Sequence, residues 1–365
     1  MTTDPIEPGA PAADTGTVGT DTGTAARPLR IAVLGAGSIG CHLGGRLAAV
    51  VGGAEVTLIG RPAAMAAVER DGLTLTGPGP DAAWRAIRTL RLATDPSAAA
   101  GADYVLVTVK SADTTAAARQ LADHLGPQAV LVSFQNGLHN PELLRAELPD
   151  HQVLAGMVPY NVVRTGGAAF HQGTAGQLML ADTPRSAAFA AAAKAAGLPL
   201  VLRRDMAAVQ AAKLLLNLNN AVNALSGRPL REQLGERAYR VCLARCQAEA
   251  LAVFAAEGIT PAQLGPVPAT WTPRVLRLPD ALFRRVAGAS LRIDAQARSS
   301  MWEDLQRGRP TEIDSLQGEI TALAARHGLP AAANARLIAL VRDAEAAGPG
   351  AARRWTGAEL LAQLG

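Results

Sequence analysis

Residues 30–40 read RIAVLGAGSIG, an aliphatic run that stops at a glycine-spaced turn. Ile31, Ala32, Val33 and Leu34 have the pattern of a buried strand, and Cys41 to Val51 continues with helical periodicity. Gly35, Gly37 and Gly40 fit G-x-G-x-x-G. In that spacing the first glycine makes a tight turn, the second lets backbone approach a pyrophosphate, and the third lets helix and strand pack closely. The helix N-terminus beyond offers free N–H groups and the positive end of a dipole to the phosphates. The motif alone is weak; a strand before it and a helix after it supply the context. Gly35, Ala36, Gly37, Ser38, Ile39 and Gly40 therefore read as a dinucleotide-binding turn.

The next apolar run, Val56 to Ile59, ends about 20 residues past the turn, where an NAD-binding fold places an acidic residue on the ribose. Here Gly60 and Arg61 stand instead. A carboxylate would repel a 2′-phosphate, whereas a guanidinium can bind it through two hydrogen bonds. Arg61 thus points to NADP(H), the alternative being an ordinary solvated arginine.

A chain of 365 residues suits two domains. Residues 1–28 are Thr, Asp, Gly, Ala and Pro with almost no large apolar side chains, so a disordered tail is expected. It has neither a signal-peptide nor a transit-peptide pattern. No stretch approaches the ~18 apolar residues of a membrane span, and a cytoplasmic protein is expected. Three cysteines give no disulfide framework, and neither they nor the six histidines have metal-ligand spacing, so no metal is expected. The net charge of +4 comes from scattered arginines and favours small anionic ligands. With aromatics at 3% there is no stacking platform for nucleic acid.

Tyr104–Val109, Ala129–Phe134 and Gln152–Val158 read as further strands, with Ala112–Leu125 a helix between the first two. Residues 72–92 read as short extended pieces, and Gln177–Ala181 and Leu198–Leu202 as late strands. Beyond Asp205 the pattern is helical, broken at Gly227–Pro229, Gly265–Pro268, Gly308–Pro310 and Gly328–Pro330. The expected architecture is α/β: a Rossmann-type, doubly wound parallel sheet over residues 29–204, then an all-α domain over 205–365. Arg61, Lys110 and Asn136 each follow a strand, so they can converge on the crevice at the carboxyl ends of the strands.

Two further stretches carry candidate chemistry. In VQAAKLLLNLNNAVNALSG, residues 209–227, one continuous helix would place Lys213, Asn217 and Asn220 within about 60° of one another. An ammonium there can bond a ketone oxygen and deliver a proton as hydride arrives. Partial desolvation would lower its pKa toward the working pH. The same face could equally be a surface lysine beside a domain contact. In RSSMWEDLQRGRPTEID, residues 298–314, Thr311 can cap a helix with Glu312 in its first turn, where a carboxylate suits the dipole. Ser300 could likewise be a helix cap.

GAGSIG, LIGR at Arg61, VTVKS at Lys110, QNGL at Asn136, AAKLLLNLNNAVNAL and SSMWEDLQRGRPTEID together resemble the ketopantoate reductase (2-dehydropantoate 2-reductase) family, from Leu29 to about Glu345. The resemblance implies NADPH-dependent reduction of the 2-oxo group of ketopantoate to pantoate, on the route to pantothenate and coenzyme A. It implies Lys213 as general acid, with Asn217 and Asn220 on the substrate and Ser300 at its carboxylate end. Glu312 would hold ligand or cofactor near the nicotinamide, with catalytic weight. Asn136 would sit at that end, in reach of substrate and cofactor, with Lys110 near the cofactor. A homodimer is compatible with it.

There are departures. Some members carry the second helix asparagine eight residues after the lysine, where this chain has Ala221, and an asparagine three residues before the serine, where it has Ala297. MVPYNVV, residues 157–163, and the 28-residue tail are not expected from the resemblance. Two other functions stay open: reduction of another branched 2-oxo acid or specialised metabolite, and a NADP-binding regulatory protein without turnover.

Overall fold

The computed structural model describes residues 27–78, 83–288 and 296–365. The expected tail lies outside the described residues apart from Arg27 and Pro28. Arg27 belongs to the folded body, its guanidinium donating to both Asp103 carboxylate oxygens at 2.9 and 2.6 Å.

The first half alternates strands and helices: β1 (Arg30–Leu34), α1 (Ser38–Ala48), β2 (Glu55–Ile59), α2 (Pro62–Asp71), β3 (Leu73–Thr76), β4 (Ala83–Ile87), β5 (Arg91–Ala93), β6 (Tyr104–Val107), α3 (Thr114–Ala122), β7 (Val130–Ser133), α4 (Asn140–Glu147), β8 (Gln152–Met157), β9 (Val162–Gly166), β10 (Ala169–Gln172), β11 (Leu178–Ala181), α5 (Ala187–Ala195) and β12 (Leu200–Arg203). Eight strands make one sheet in the order β5-β2-β1-β6-β7-β8-β11-β12. β5 through β8 are parallel, and β11 joins β8 antiparallel. β6 and β7 are buried along their whole length, which is why they read as unbroken apolar runs. One face packs under α1 and α5, the other under α3 and α4.

A second sheet, β4-β3-β10-β9, packs against α1. The extended pieces at residues 72–92 supply β3 to β5, and the unexpected 157–163 segment leads into β9. Pairing of β3 with β10 joins residues almost a hundred apart, such as Thr74 and Ala169, so no local pattern announces it.

The remainder is helical: α6 (Met206–Asn217), α7 (Asn219–Ser226), α8 (Leu230–Gly235), α9 (Arg237–Ala256), α10 (Thr272–Leu276), α11 (Asp280–Ala287), α12 (Ser300–Gln306), α13 (Ile313–Arg326), α14 (Ala332–Ala347) and α15 (Gly357–Gln363). α9 is the central post, with Cys242, Cys246, Ala250, Val253 and Phe254 fully buried in a core shared with α6, α7, α13 and α14. Ala155 and Met157 of β8 pack on Met206, Val209 and Ala212 of α6, which fixes α6 against the sheet.

The single helix expected over residues 209–227 is two. It breaks at Leu218, whose φ of −57° and ψ of −22° tighten the turn. Gln317 donates to the Leu218 carbonyl at 2.8 Å and Gln247 to that of Leu215 at 3.0 Å. Buried amides from α13 and α9 thus satisfy the carbonyls around the break, as buried backbone requires.

The glycine turn depends on contact. Gly35 has a φ of +106°, and a Cβ on Gly40 would lie 2.1 Å from the Gly35 carbonyl oxygen and 2.6 Å from Thr108 Oγ1. Backbone cannot swing aside from such a clash. Gly40→Ala is therefore expected to lose about 1–3 kcal/mol of stability, the usual penalty of overpacking. Urea unfolding measures it, and an unchanged midpoint would show that helix and strand can separate freely here.

Candidate active site

Arg61, Lys110 and Asn136 lie just past the carboxyl ends of β2, β6 and β7, beside the N-terminus of α1. No side chain caps the first N–H groups of α1, and Gly37 ahead of it is exposed, with no atom within 4 Å of where a Cβ would stand. A ligand can come against that backbone. At Gly60 a Cβ would sit 2.3 Å from that of Ala36, so the glycine lets the end of β2 close on the turn. Arg61 follows it, exposed, and its guanidinium makes no hydrogen bond or ion pair with any described residue.

Asn136 joins the two halves of the chain. Its Oδ1 accepts from Asn217 Nδ2 at 3.0 Å and its Nδ2 donates to Glu312 Oε2 at 3.0 Å. Glu312 is the N-cap residue of α13 rather than a first-turn residue, yet its carboxylate bonds none of the N–H groups of that helix. Thr311 Oγ1 accepts from Ile313 N at 3.3 Å instead. The Glu312 carboxylate is thus turned to the cleft, where Ser111 Oγ lies 3.5 Å from Oε1.

Lys213 stands one turn before Asn217 on α6, partly buried. Its Nζ donates to the Pro159 carbonyl at a long 3.4 Å, and no carboxylate among the described residues is paired with it. Burial alone pulls its pKa from 10.5 down to about 8.

The other expected positions divide. Asn220, on α7, is partly exposed and its side-chain amide bonds no described residue, whereas Ala221 beside it is fully buried. The helix cap is Ser299, not Ser300: Ser299 Oγ accepts from Trp302 N at 3.2 Å and donates to the Asn220 carbonyl at 3.2 Å. The Ser300 hydroxyl is left unpaired among the described residues. Lys110 is engaged, donating to Asp304 Oδ2 at 2.8 Å and to the Pro310 carbonyl at 2.6 Å. Asn219 and Asn223, given no role from sequence, are structural: Asn219 exchanges two hydrogen bonds with Gln233, and Asn223 binds Ser299 N and the Arg228 carbonyl. Ser111, Asn140 and Asp304 were missed, since only the fold brings them to this cleft.

Comparison with known proteins identifies the family. The family model described as ketopantoate reductase PanE/ApbA matches residues 31–185, and its C-terminal companion matches residues 205–345. The chain is 32% identical over 328 residues to the 2-dehydropantoate 2-reductase of Halobacterium salinarum, covering 87% of this chain and 99% of that protein. It is 33% identical, with a TM-score of 0.75, to the crystal structure of a PanE/ApbA family ketopantoate reductase from Ralstonia eutropha, covering 87% of this chain and 99% of the other. D-mandelate dehydrogenase, solved with NADH and anilino(oxo)acetate, shares the fold at 18% identity and a TM-score of 0.72, over 87% of this chain and 99% of that one. The chain belongs to the ketopantoate reductase family.

Proposed function

We propose that this protein reduces 2-dehydropantoate to pantoate with NADPH. One observation carries the proposal: a lysine with a pKa near 8 and no anionic partner, one helical turn from the joined Asn136, Asn217 and Glu312. Family membership supports it.

Gly35 to Gly40 would hold a nicotinamide cofactor, which would supply the hydride. Lys213 holds a proton at the ketone oxygen and releases it as negative charge develops there. The weak Pro159 contact restrains the ammonium without neutralising it. Asn217 is oriented by Asn136, and Glu312 fixes the other end of the same amide. The unpaired Asn220 amide and Ser300 hydroxyl are free to bind the hydroxyl and carboxylate of the acid. The one-residue shift from Ala221 to Asn220 suits the break at Leu218, since the exposed residue is the asparagine. A second reading, reduction of another branched 2-oxo acid, is favoured by Ala297, which offers no side-chain donor near Ser300. Measuring kcat/KM over a panel of 2-oxo acids, with NADPH and NADH, separates the two.

Lys213→Ala should lower kcat by about 100-fold or more, as losing a general acid does. Because the acid must be protonated, wild-type kcat/KM should fall as pH rises through about 8, and the variant should lack that limb. A wild-type-like profile in folded Lys213→Ala would sink the mechanism.

The same lysine costs stability. Its folded-state pKa near 8 lies below the 10.5 of the unfolded chain. Below pH 8 both states hold the proton and the full penalty applies. From 8 to 10.5 the unfolded state holds more protons, so stability rises with pH. Lys213→Met should raise Tm at pH 7 by about 1–4 °C while abolishing turnover; a lower Tm would contradict the burial penalty.

Arg61 follows β2, exposed and with its guanidinium unpaired among the described residues, which supports a reading in which it takes the 2′-phosphate of NADPH. Arg61→Ala should raise KM for NADPH about tenfold or more, the loss of one charge-assisted contact, and leave KM for NADH nearly unchanged. Equal effects on both cofactors would show that Arg61 does not read the phosphate.

A further inference from the structure

We propose that Asn140 is a positioning residue for the reduction, holding the backbone of Asn136 so that the Asn136 amide meets Asn217 and Glu312 together. This rests on the proposed reductase function. Asn140 opens α4 and is 4% exposed. Asparagine at a helix start ordinarily serves the free N–H groups of the helix. Here no side chain caps α4, and the whole Asn140 amide faces the cleft wall. Its Nδ2 donates to the Asn136 carbonyl at 2.5 Å and to Ser111 Oγ at 3.0 Å, and its Oδ1 accepts from Thr114 Oγ1 at 2.7 Å.

Donor and acceptor ends are set by a chain that leads back into the sheet. Ser133 Oγ, at the end of β7, donates to Gln135 Oε1 at 3.0 Å. That leaves Gln135 Nε2 to donate to Thr114 Oγ1 at 2.7 Å and to the Val109 carbonyl at 3.1 Å. Thr114 accepts there, so its one proton goes to Asn140 Oδ1, and Asn140 must turn its NH₂ toward Asn136 and Ser111. Ser111, accepting from Asn140, has its own proton for the Asn136 carbonyl at 2.9 Å or for Glu312. The Asn136 carbonyl is thus gripped by two side chains from outside its own loop segment. Gly137 beside it has a φ of +91°, so this loop would not hold its shape by local preference alone.

Asn140 is too deeply covered to meet substrate, so it acts through Asn136 and belongs with neither the catalytic nor the cofactor contacts. An aspartate of the same shape would keep the Thr114 bond, lose both donations and set a carboxylate against the Asn136 carbonyl. The chemistry therefore asks for an amide, not merely for bulk.

The test is a double-mutant cycle on the full-length enzyme, with 2-dehydropantoate and NADPH, using Asn140→Ala, Asn136→Ala and the pair. Asn140→Ala should lower kcat about tenfold, in keeping with the cost of slight misplacement of reacting groups, while KM for NADPH stays within about twofold. In the Asn136→Ala background the same substitution should change kcat by less than about twofold, because its route to the site is already gone. Asn140→Asp, which preserves packing, should lose at least as much kcat and guards against a folding defect in the alanine variant; thermal melting checks both. Unchanged kcat in a folded variant, or full independent effects in the cycle, would overturn the positioning role. Absence of turnover in the wild type would instead overturn the proposed function, and the positioning role with it.

Discussion

One amide holds the cleft in register. Asn136 has a single carbonyl end and a single NH₂ end, and each meets a partner of the opposite kind: Asn217 as donor, Glu312 as acceptor. A carboxylate, a lysine or a leucine at position 136 could not satisfy both. The sheet supplies Asn136, α6 supplies Asn217 and the start of α13 supplies Glu312, so three elements far apart in sequence share one hydrogen-bonded seam. Lys110 adds a second tie from the sheet, to Asp304 and to the Pro310 carbonyl just before Glu312. In the proposed reaction the seam would keep the separation of the walls around Lys213.

The sequence was most informative where local rules decide the structure. The turn from Gly35 to Gly40 could be read because sterics allow little but glycine there, and the parallel strands could be read because burial on both faces leaves unbroken aliphatic runs. Spacing and family resemblance single out Lys213, Asn217, Asn136 and Glu312, and the fold brings Asn136, Asn217 and Glu312 into hydrogen-bonded contact. Legibility failed wherever the deciding partner is distant. The break at Leu218 depends on Gln247 and Gln317, and nothing between residues 209 and 227 reports them. Ser300 reads as the cap from sequence, and only the contact with Trp302 N shows that Ser299 is the cap. The ordering of Lys110 by Asp304 spans almost two hundred residues.

Under the proposed mechanism the placement of Lys213 is a compromise between two demands. A fully solvated lysine would be a poor acid at neutral pH, and one paired with a carboxylate would be a worse one. Burial without a counter-charge lowers its pKa but destabilises the folded chain. The fully buried apolar side chains of the helical core around α9 contribute in the opposite direction. The three buried thiols feel the same desolvation, which moves their pKa upward. Burial pushes those of Cys41 and Cys242 up to about 12, and Cys246 is raised as well, so all stay protonated and inert.

The clip between Arg27 and Asp103 has a geometric consequence. Both residues lie before their strands begin, Arg27 ahead of β1 and Asp103 immediately ahead of β6. Because β1 and β6 are parallel, the chain enters the body at the amino end of the sheet, whereas the glycine turn, Arg61, Lys110 and Asn136 all lie at its carboxyl end. A five-residue strand separates the two by roughly 15 Å at about 3.3 Å per residue. An affinity tag, a surface tether or a fused partner joined at Arg27 would therefore depart from the face remote from the cleft, leaving the mouth of the cleft unobstructed.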